Sequence, residues 1–255
     1  MRRADEACTT GRPVLEQLEP RLLLSTLHVD NFPADGTWPG CYTDLQAALA
    51  DATAGDEVWV AAGTYRPTDT TERSISFEMV GGVALYGGFV GGETSRDQRD
   101  WEANETVLSG DIGTPEDNSD NSYHVVRGAD DAVLDGFIVT GGCADGEGED
   151  SYGGGMYNSH SSPTVTNCTL VGNSAGDAQY GGGGGMYNYY AYPAVTNCRF
   201  IDNWINDVDN GGGGAMYNYC SSPRVVDCAF DYNSVEWWFG GGRGGECATR
   251  IPRPW

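Results

Sequence analysis

The chain has 255 residues, a formal net charge of −23 and no lysine, all 14 of its basic residues being arginine. So acidic a surface excludes nucleic acid as a partner, because phosphate contact needs clustered cations. No apolar run approaches the ~20 residues of a membrane-spanning helix, and 38 glycines favour turns over helices.

Residues 1–26 contain Arg2, Arg3 and the run Leu22-Leu23-Leu24, too short for an ordinary signal-peptide core. They read as a sorting or disordered segment ahead of the fold. Leu45, Ala48, Leu49 and Ala52 then share one helical face, which predicts a helix over 43–53. Thr43 and Gln46 are its expected capping box and Gly55 its stop. Glu57–Ala61, Val83–Phe89, Val107–Ile112 and Val133–Ile138 follow as short apolar strands. Val133–Ile138 matches Val165–Leu170 at an offset of 32, and Val107–Ile112 lies 26 residues before it.

From Gly153 to Gly242 the sequence repeats with a period of 30 and no slippage. Met156-Tyr157-Asn158 returns as Met186-Tyr187-Asn188 and Met216-Tyr217-Asn218. Pro163, Cys168 and Asn173 recur in the same step, and residues 153–182 share 15 of 30 identities with 183–212. A fixed period of this size means stacked units, each burying its apolar face against its neighbours. Within one period Val165, Cys168 and Leu170 are apolar, and their alternation changes phase at Asn167. That fits two short strands joined by a left-handed bend, which asparagine tolerates. Stacked in parallel about 4.8 Å apart, Val165/Val195/Val225 and Leu170/Phe200/Phe230 form apolar ladders. Asn158/Asn188/Asn218 and Asn167/Asn197/Asp227 form polar ones, with the glycine runs permitting positive φ and close approach at a corner. Cys168, Cys198 and Cys228 point inward as a ladder of free thiols, because parallel strands aim their Cβ vectors alike and bridge poorly. No partner is deducible for Cys41, Cys143 or Cys220.

The fourth period fails at Glu246. Shifted by one base, codons for this stretch can encode the Gly-Met and Ser-Ser-Pro of the earlier periods, so 246–255 reads as an out-of-frame tail. The expected fold is therefore all-β: a right-handed parallel β-helix over 27–245 with one N-terminal capping helix and an uncapped last coil. That edge, with Trp237, Trp238 and Phe239 nearby, is expected to self-associate end to end.

Asp44–Leu49, Gly55–Tyr65, Leu85–Phe89, Leu108–Asp111, Leu134–Ile138 and Gly153–Asn158 resemble the right-handed parallel β-helices of the pectin-lyase-like superfamily. Within it they are similar to the glycine-rich repeats of polymorphic outer-membrane proteins. Leu18-Glu-Pro-Arg-Leu-Leu-Leu-Ser25 resembles the N-terminal sorting motif of planctomycete extracellular proteins. The resemblances imply a bacterial, exported protein located outside the cell or at its surface; long faces suited to binding and stacked ladders suited to durability lead to the expectation of a non-catalytic structural, adhesive or glycan-contacting role there.

An enzyme of that fold, a polysaccharide lyase or glycoside hydrolase acting on acidic polysaccharide, needs carboxylates converging on one face. Asp111 and Asp135 are the candidates, about one coil apart, with His124 and Arg127 between them. The loop Asp145-Gly-Glu147-Gly-Glu149-Asp150 has the composition of a calcium site without EF-hand spacing. No other cofactor is implied. Tyr157, Tyr187 and Tyr217, with Tyr189, Tyr190, Tyr192 and Tyr219 clustered just after the ladder, are the candidate contacts to a polysaccharide or other cell-surface component; stacking for stability is the competing use of the same rings.

Overall fold

The computed structural model describes residues 25–32, 38–176, 182–206, 212–236 and 247–248. The sorting segment as far as residue 24, Trp237–Phe239 and the rest of the tail lie outside them. The chain winds as a parallel β-helix whose strands fall into four sheets, each named here for what it carries.

The valine sheet has seven strands: Thr26–Val29, Glu57–Ala61, Ala84–Phe89, Val133–Asp135, Thr164–Thr166, Ala194–Thr196 and Arg224–Val226. The leucine sheet has six: Gly63–Tyr65, Thr106–Ser109, Ile138–Thr140, Thr169–Val171, Arg199–Ile201 and Ala229–Asp231. The tyrosine sheet stacks Phe77–Glu78, Val126–Arg127, Met156–Ser159, Met186–Tyr189 and Met216–Tyr219. A short sheet stacks Cys143–Ala144, Ser174–Ala175, Trp204–Asn206 and Ser234–Glu236, and Cys247–Ala248 pairs antiparallel with the last of these.

In the repeats the register is one period per coil, Met156 facing Met186 and Met186 facing Met216. Alternation puts Val165, Val195, Leu170, Phe200, Met156 and Met186 inside, where they are buried with Leu134, Leu108 and Phe77 in one continuous core. Each such side chain contributes roughly 1.5–3 kcal/mol by leaving water. The phase step is where the sequence places it: Asn167, Asn197 and Asp227 have φ of 52°, 52° and 53°. Cys41, Cys143, Cys168, Cys198, Cys220 and Cys228 are free thiols. Those of Cys168, Cys198 and Cys228 donate to the carbonyls of Thr166, Thr196 and Val226 at 3.1, 3.2 and 3.2 Å.

Four expectations are corrected. The strand at Val107 does not lie under Val133: it pairs with Ile138, 31 residues on, while Val133 pairs with Ala84 and Thr164. A strand ending in Ser-Gly-Asp resembles one ending in Asp-Gly, and local composition does not say on which side of the bend it falls. The helix is Leu45–Asp51, shorter than 43–53, and its cap is Asp44, which accepts from the Gln46 amide at 2.9 Å. A carboxylate is the better acceptor at a helix N-terminus. The Gln46 side chain instead donates to the Pro67 and Ser76 carbonyls, tying the helix to the first coil, and the helix ends at extended Ala52 rather than at Gly55. Leu45, Ala48 and Leu49 then cover the end of the core.

In the glycine runs, close approach matters more than positive φ, which among their described residues only Gly153 adopts. A Cβ on Gly184 would collide with the Trp204 carbonyl and sit 2.7 Å from that of Gly214. The short sheet folds back against this glycine column, with Ala144, Ala175, Ile205 and Val235 packed in the wedge between them.

Candidate functional site

The structure keeps the two candidate carboxylates apart. Asp135 ends its valine-sheet strand beside the bend, while Asp111 lies beside Gly141 at the far end of the leucine-sheet strand. Six residues separate Asp135 from Gly141, on the order of 20 Å along the chain at ~3.3 Å per residue, and the two carboxylates lie with different sheets on either side of the bend. Each is also held. Buried Asp135 pairs with Arg99 at 2.6 Å and accepts from the Asn167 amide, to which Asn197 donates in turn. Asp111 lies 3.7 Å from Arg66 and accepts from the Glu116 amide.

His124 and Arg127 join neither of them. They sit at the start of the tyrosine sheet, His124 stacked on the Tyr157 ring at 4.9 Å and the Arg127 guanidinium 4.9 Å from the same centroid. Arg127 pairs with Glu149 at 3.2 Å and lies 3.7 Å from Glu78. His124 is 1% exposed; its Nδ1 meets the Gly153 carbonyl at 3.1 Å, and its Nε2 lies 3.8 Å from Asp150 without a hydrogen bond. Burial, helped by the charge of Arg127, lowers its pKa to about 4, so it is a neutral packing group at pH 7.

The acidic loop is likewise dispersed. Asp145 pairs with Arg73, Glu149 with Arg127, and Asp150 faces His124, while Glu147 precedes the 3-10 turn Gly148–Ser151. Its carboxylates diverge toward separate partners instead of converging on one cation. Among the described residues no group of three or more His, Cys, Asp or Glu side chains is placed to hold a metal ion.

The tyrosines divide into two populations. Tyr157 and Tyr187 stack at 5.8 Å, and Tyr187 and Tyr217 at 5.7 Å, but Tyr157 and Tyr187 are only 4% and 3% exposed. Tyr152, from the segment after the 3-10 turn, lies on Tyr187 at 4.6 Å, and burial pushes the Tyr157 phenol up to about 12. As ligand contacts these two are corrected to packing groups; Tyr217, on the last described coil, is half-buried.

At the other end of the same strands the chain turns a corner into the valine sheet. Tyr190, Tyr192 and Tyr219 are 45%, 60% and 39% exposed there, beside exposed His160 and half-buried Tyr189. His160 stacks on Tyr190 at 5.4 Å and Tyr189 on Tyr219 at 5.5 Å. Tyr192 stands between Ser162 and Ser222 in register, with no ring partner among the described residues and most of its side chain exposed. His160, Tyr190 and Cys220 occupy one position of successive coils at φ of 52°, 47° and 49°. At the neighbouring bend that conformation is given to asparagine and aspartate, which adopt it readily; a tyrosine adopts it at a cost. Tyr192 and Tyr219 belong to the aromatic cluster that the sequence marks after the ladder, and Tyr192 falls where the other two periods carry serine.

Among solved structures the chain is similar to pectin methylesterase PemA from Erwinia chrysanthemi and to a pectin methylesterase in complex with a hexasaccharide. Each is 13% identical at a TM-score of 0.35, over 80% of this chain and 66% of theirs, so about a third of each lies outside the match. No protein-family model and no curated protein matches the sequence. Among the described residues no helix is long and apolar enough to cross a membrane.

Proposed function

We propose that this chain is a non-catalytic, exported β-helix module that works at a cell surface and contacts glycan through the aromatic corner formed by His160, Tyr189, Tyr190, Tyr192 and Tyr219. The observation that carries this reading is Tyr190: a bulky side chain kept exposed at a strained backbone position where asparagine would sit without cost. Sugar rings pack their C–H faces on aromatic rings, and a coil rise of about 4.8 Å is close to the length of one sugar ring in a polymer. Export rests on the resemblance at Leu18–Ser25 and on the implied family, and the dispersal of Asp111, Asp135, His124 and Arg127 speaks against the lyase or hydrolase alternative.

The test incubates the full chain with a panel of polysaccharides and follows both co-sedimentation and release of reducing or unsaturated ends. Binding without release is the expected result. Sustained release that tracks the protein through purification would overturn the non-catalytic reading.

A further inference from the structure

Building on glycan contact at the corner, we infer that the polymer it takes is neutral rather than acidic. The charges around the corner decide this. Asp130 and Asp131 flank it on the N-terminal side, both exposed, with the Asp130 carboxylate accepting from the Ser162 amide. Arg224, exposed at the start of its valine-sheet strand, is the nearest cation on the C-terminal side. Arg66, Arg73, Arg96, Arg99 and Arg127 are already engaged with Asp111, Asp145, Glu57, Asp135 and Glu149. A uronic-acid polymer brings one negative charge per ring to a chain of net charge −23. Arg199, also exposed, starts a leucine-sheet strand beyond the Asn197 bend. Across the three coils of the corner, some 10 Å, the described residues offer such a polymer the Arg224 guanidinium against the carboxylates of Asp130 and Asp131, and like charges brought together oppose binding.

The apolar side of the corner fits an uncharged ring. Tyr192 offers a mostly exposed side chain, and Tyr190 has Cys220 rather than an aromatic ring in register on its C-terminal side. The Tyr190 hydroxyl is hydrogen-bonded to the Cys220 side chain, while exposed Tyr192 and Tyr219 carry phenols that can donate to or accept from sugar hydroxyls without any charge. A polymer held by ring packing binds with little dependence on salt, whereas one held by Arg224 weakens as ionic strength rises.

Affinity electrophoresis of the full chain through gels containing hydroxyethyl cellulose, galactomannan or polygalacturonate, at low and high salt, separates the outcomes. The variants are Tyr190→Ala, Tyr192→Ala, Arg224→Ala and, at a different corner, Tyr232→Ala, each checked for an unchanged urea midpoint. The expected result is salt-insensitive retardation by a neutral polymer. It weakens about three- to tenfold in Tyr190→Ala and in Tyr192→Ala, as loss of one ring contact implies, and is unchanged in the other two. Salt-sensitive retardation by polygalacturonate alone, lost in Arg224→Ala and in the corner variants, would overturn the neutral-polymer inference while leaving glycan contact at the corner intact. Retardation by none of the three polymers, or retardation indifferent to both tyrosine changes, would overturn both.

Discussion

Tyr187 and Tyr189 lie two residues apart on one strand and point to the same outer face of the tyrosine sheet, yet the first is sealed and the second reaches solvent. The difference comes from outside the strand. The 3-10 turn Gly148–Ser151 and Tyr152 fold over the beginning of the strands, where Tyr152 stacks on Tyr187, and leave their ends bare. Alternation therefore says which side chains face outward. What covers them is decided by connections that alternation does not describe.

The widest way to test that contrast is to remove one ring from each population. Tyr187→Ala deletes a ring packed between Tyr157, Tyr217 and Tyr152, and should destabilise the fold by about 3–5 kcal/mol; Tyr190→Ala should stay within about 0.5 kcal/mol of the parent. Urea unfolding followed by circular dichroism measures both, and equal losses would show that the two columns are not distinct.

Next in size is the pH response of the covered end. His124 is buried neutral with its pKa lowered from 6.5 to about 4. As pH falls through 6.5 the unfolded chain takes up a proton that the folded chain refuses, so stability declines between pH 6.5 and 4 and levels off below. Up to about 3 kcal/mol is at stake. Urea midpoints at pH 7.5 and 4.5 should differ accordingly, and His124→Gln should remove most of that difference. Asp56 acts in a separate window. Hydrogen bonds from Ser25 and Thr53 hold its carboxyl well below the usual range, so its contribution is present above the ordinary carboxylate pKa and fades only at more acid pH.

A smaller loss is expected inside the coils. Asn203 donates to the Leu170 carbonyl at 2.8 Å and accepts from the backbone and side-chain amides of Asn173. Asn203→Ala strands those groups in the core at a cost of about 1–3 kcal/mol, read as a lower urea midpoint with unchanged slope. The smallest effect has the opposite sign. Tyr190→Asn relieves the left-handed strain and should raise stability by up to about 1 kcal/mol while reducing glycan retention. A gain on one assay with a loss on the other is the signature of a residue kept for contact.

Much of this architecture was legible because a strict period carries its own register: once Met156, Met186 and Met216 align, the inward valines, the thiol ladder and the bend at Asn167 follow from strand geometry. Upstream, where spacing varies, the same reasoning misplaced Val107, since Leu-Ser-Gly-Asp111 and Leu-Asp-Gly136 look alike on opposite sides of a bend. That slip is what made Asp111 and Asp135 look like neighbours. The candidate site was half legible. Aromatic clustering after Asn188 pointed to the corner, but the cover over Tyr157 and Tyr187 depends on contacts between segments whose spacing carries no period. The guanidinium partners of Asp135 and Glu149 come from distant positions, Arg99 and Arg127, and no local pattern announces them.

The asparagine ladders have a direction. The Asn158 amide donates to Asn188 and the Asn188 amide to Asn218; Asn173 donates to Asn203 and Asn203 to Asn233. Along these two ladders each interior amide takes from the coil before it and gives to the coil after it, while the ladder at the Asn167 bend runs the other way; in both directions a copied coil slots in with its bonds satisfied and a deleted one leaves its neighbours matched. Length is thereby a digital trait, adjustable one period at a time by duplication or loss of a short stretch of gene. A contact surface laid along the coils can lengthen with it, one ring at a time, while the interior keeps the same rules.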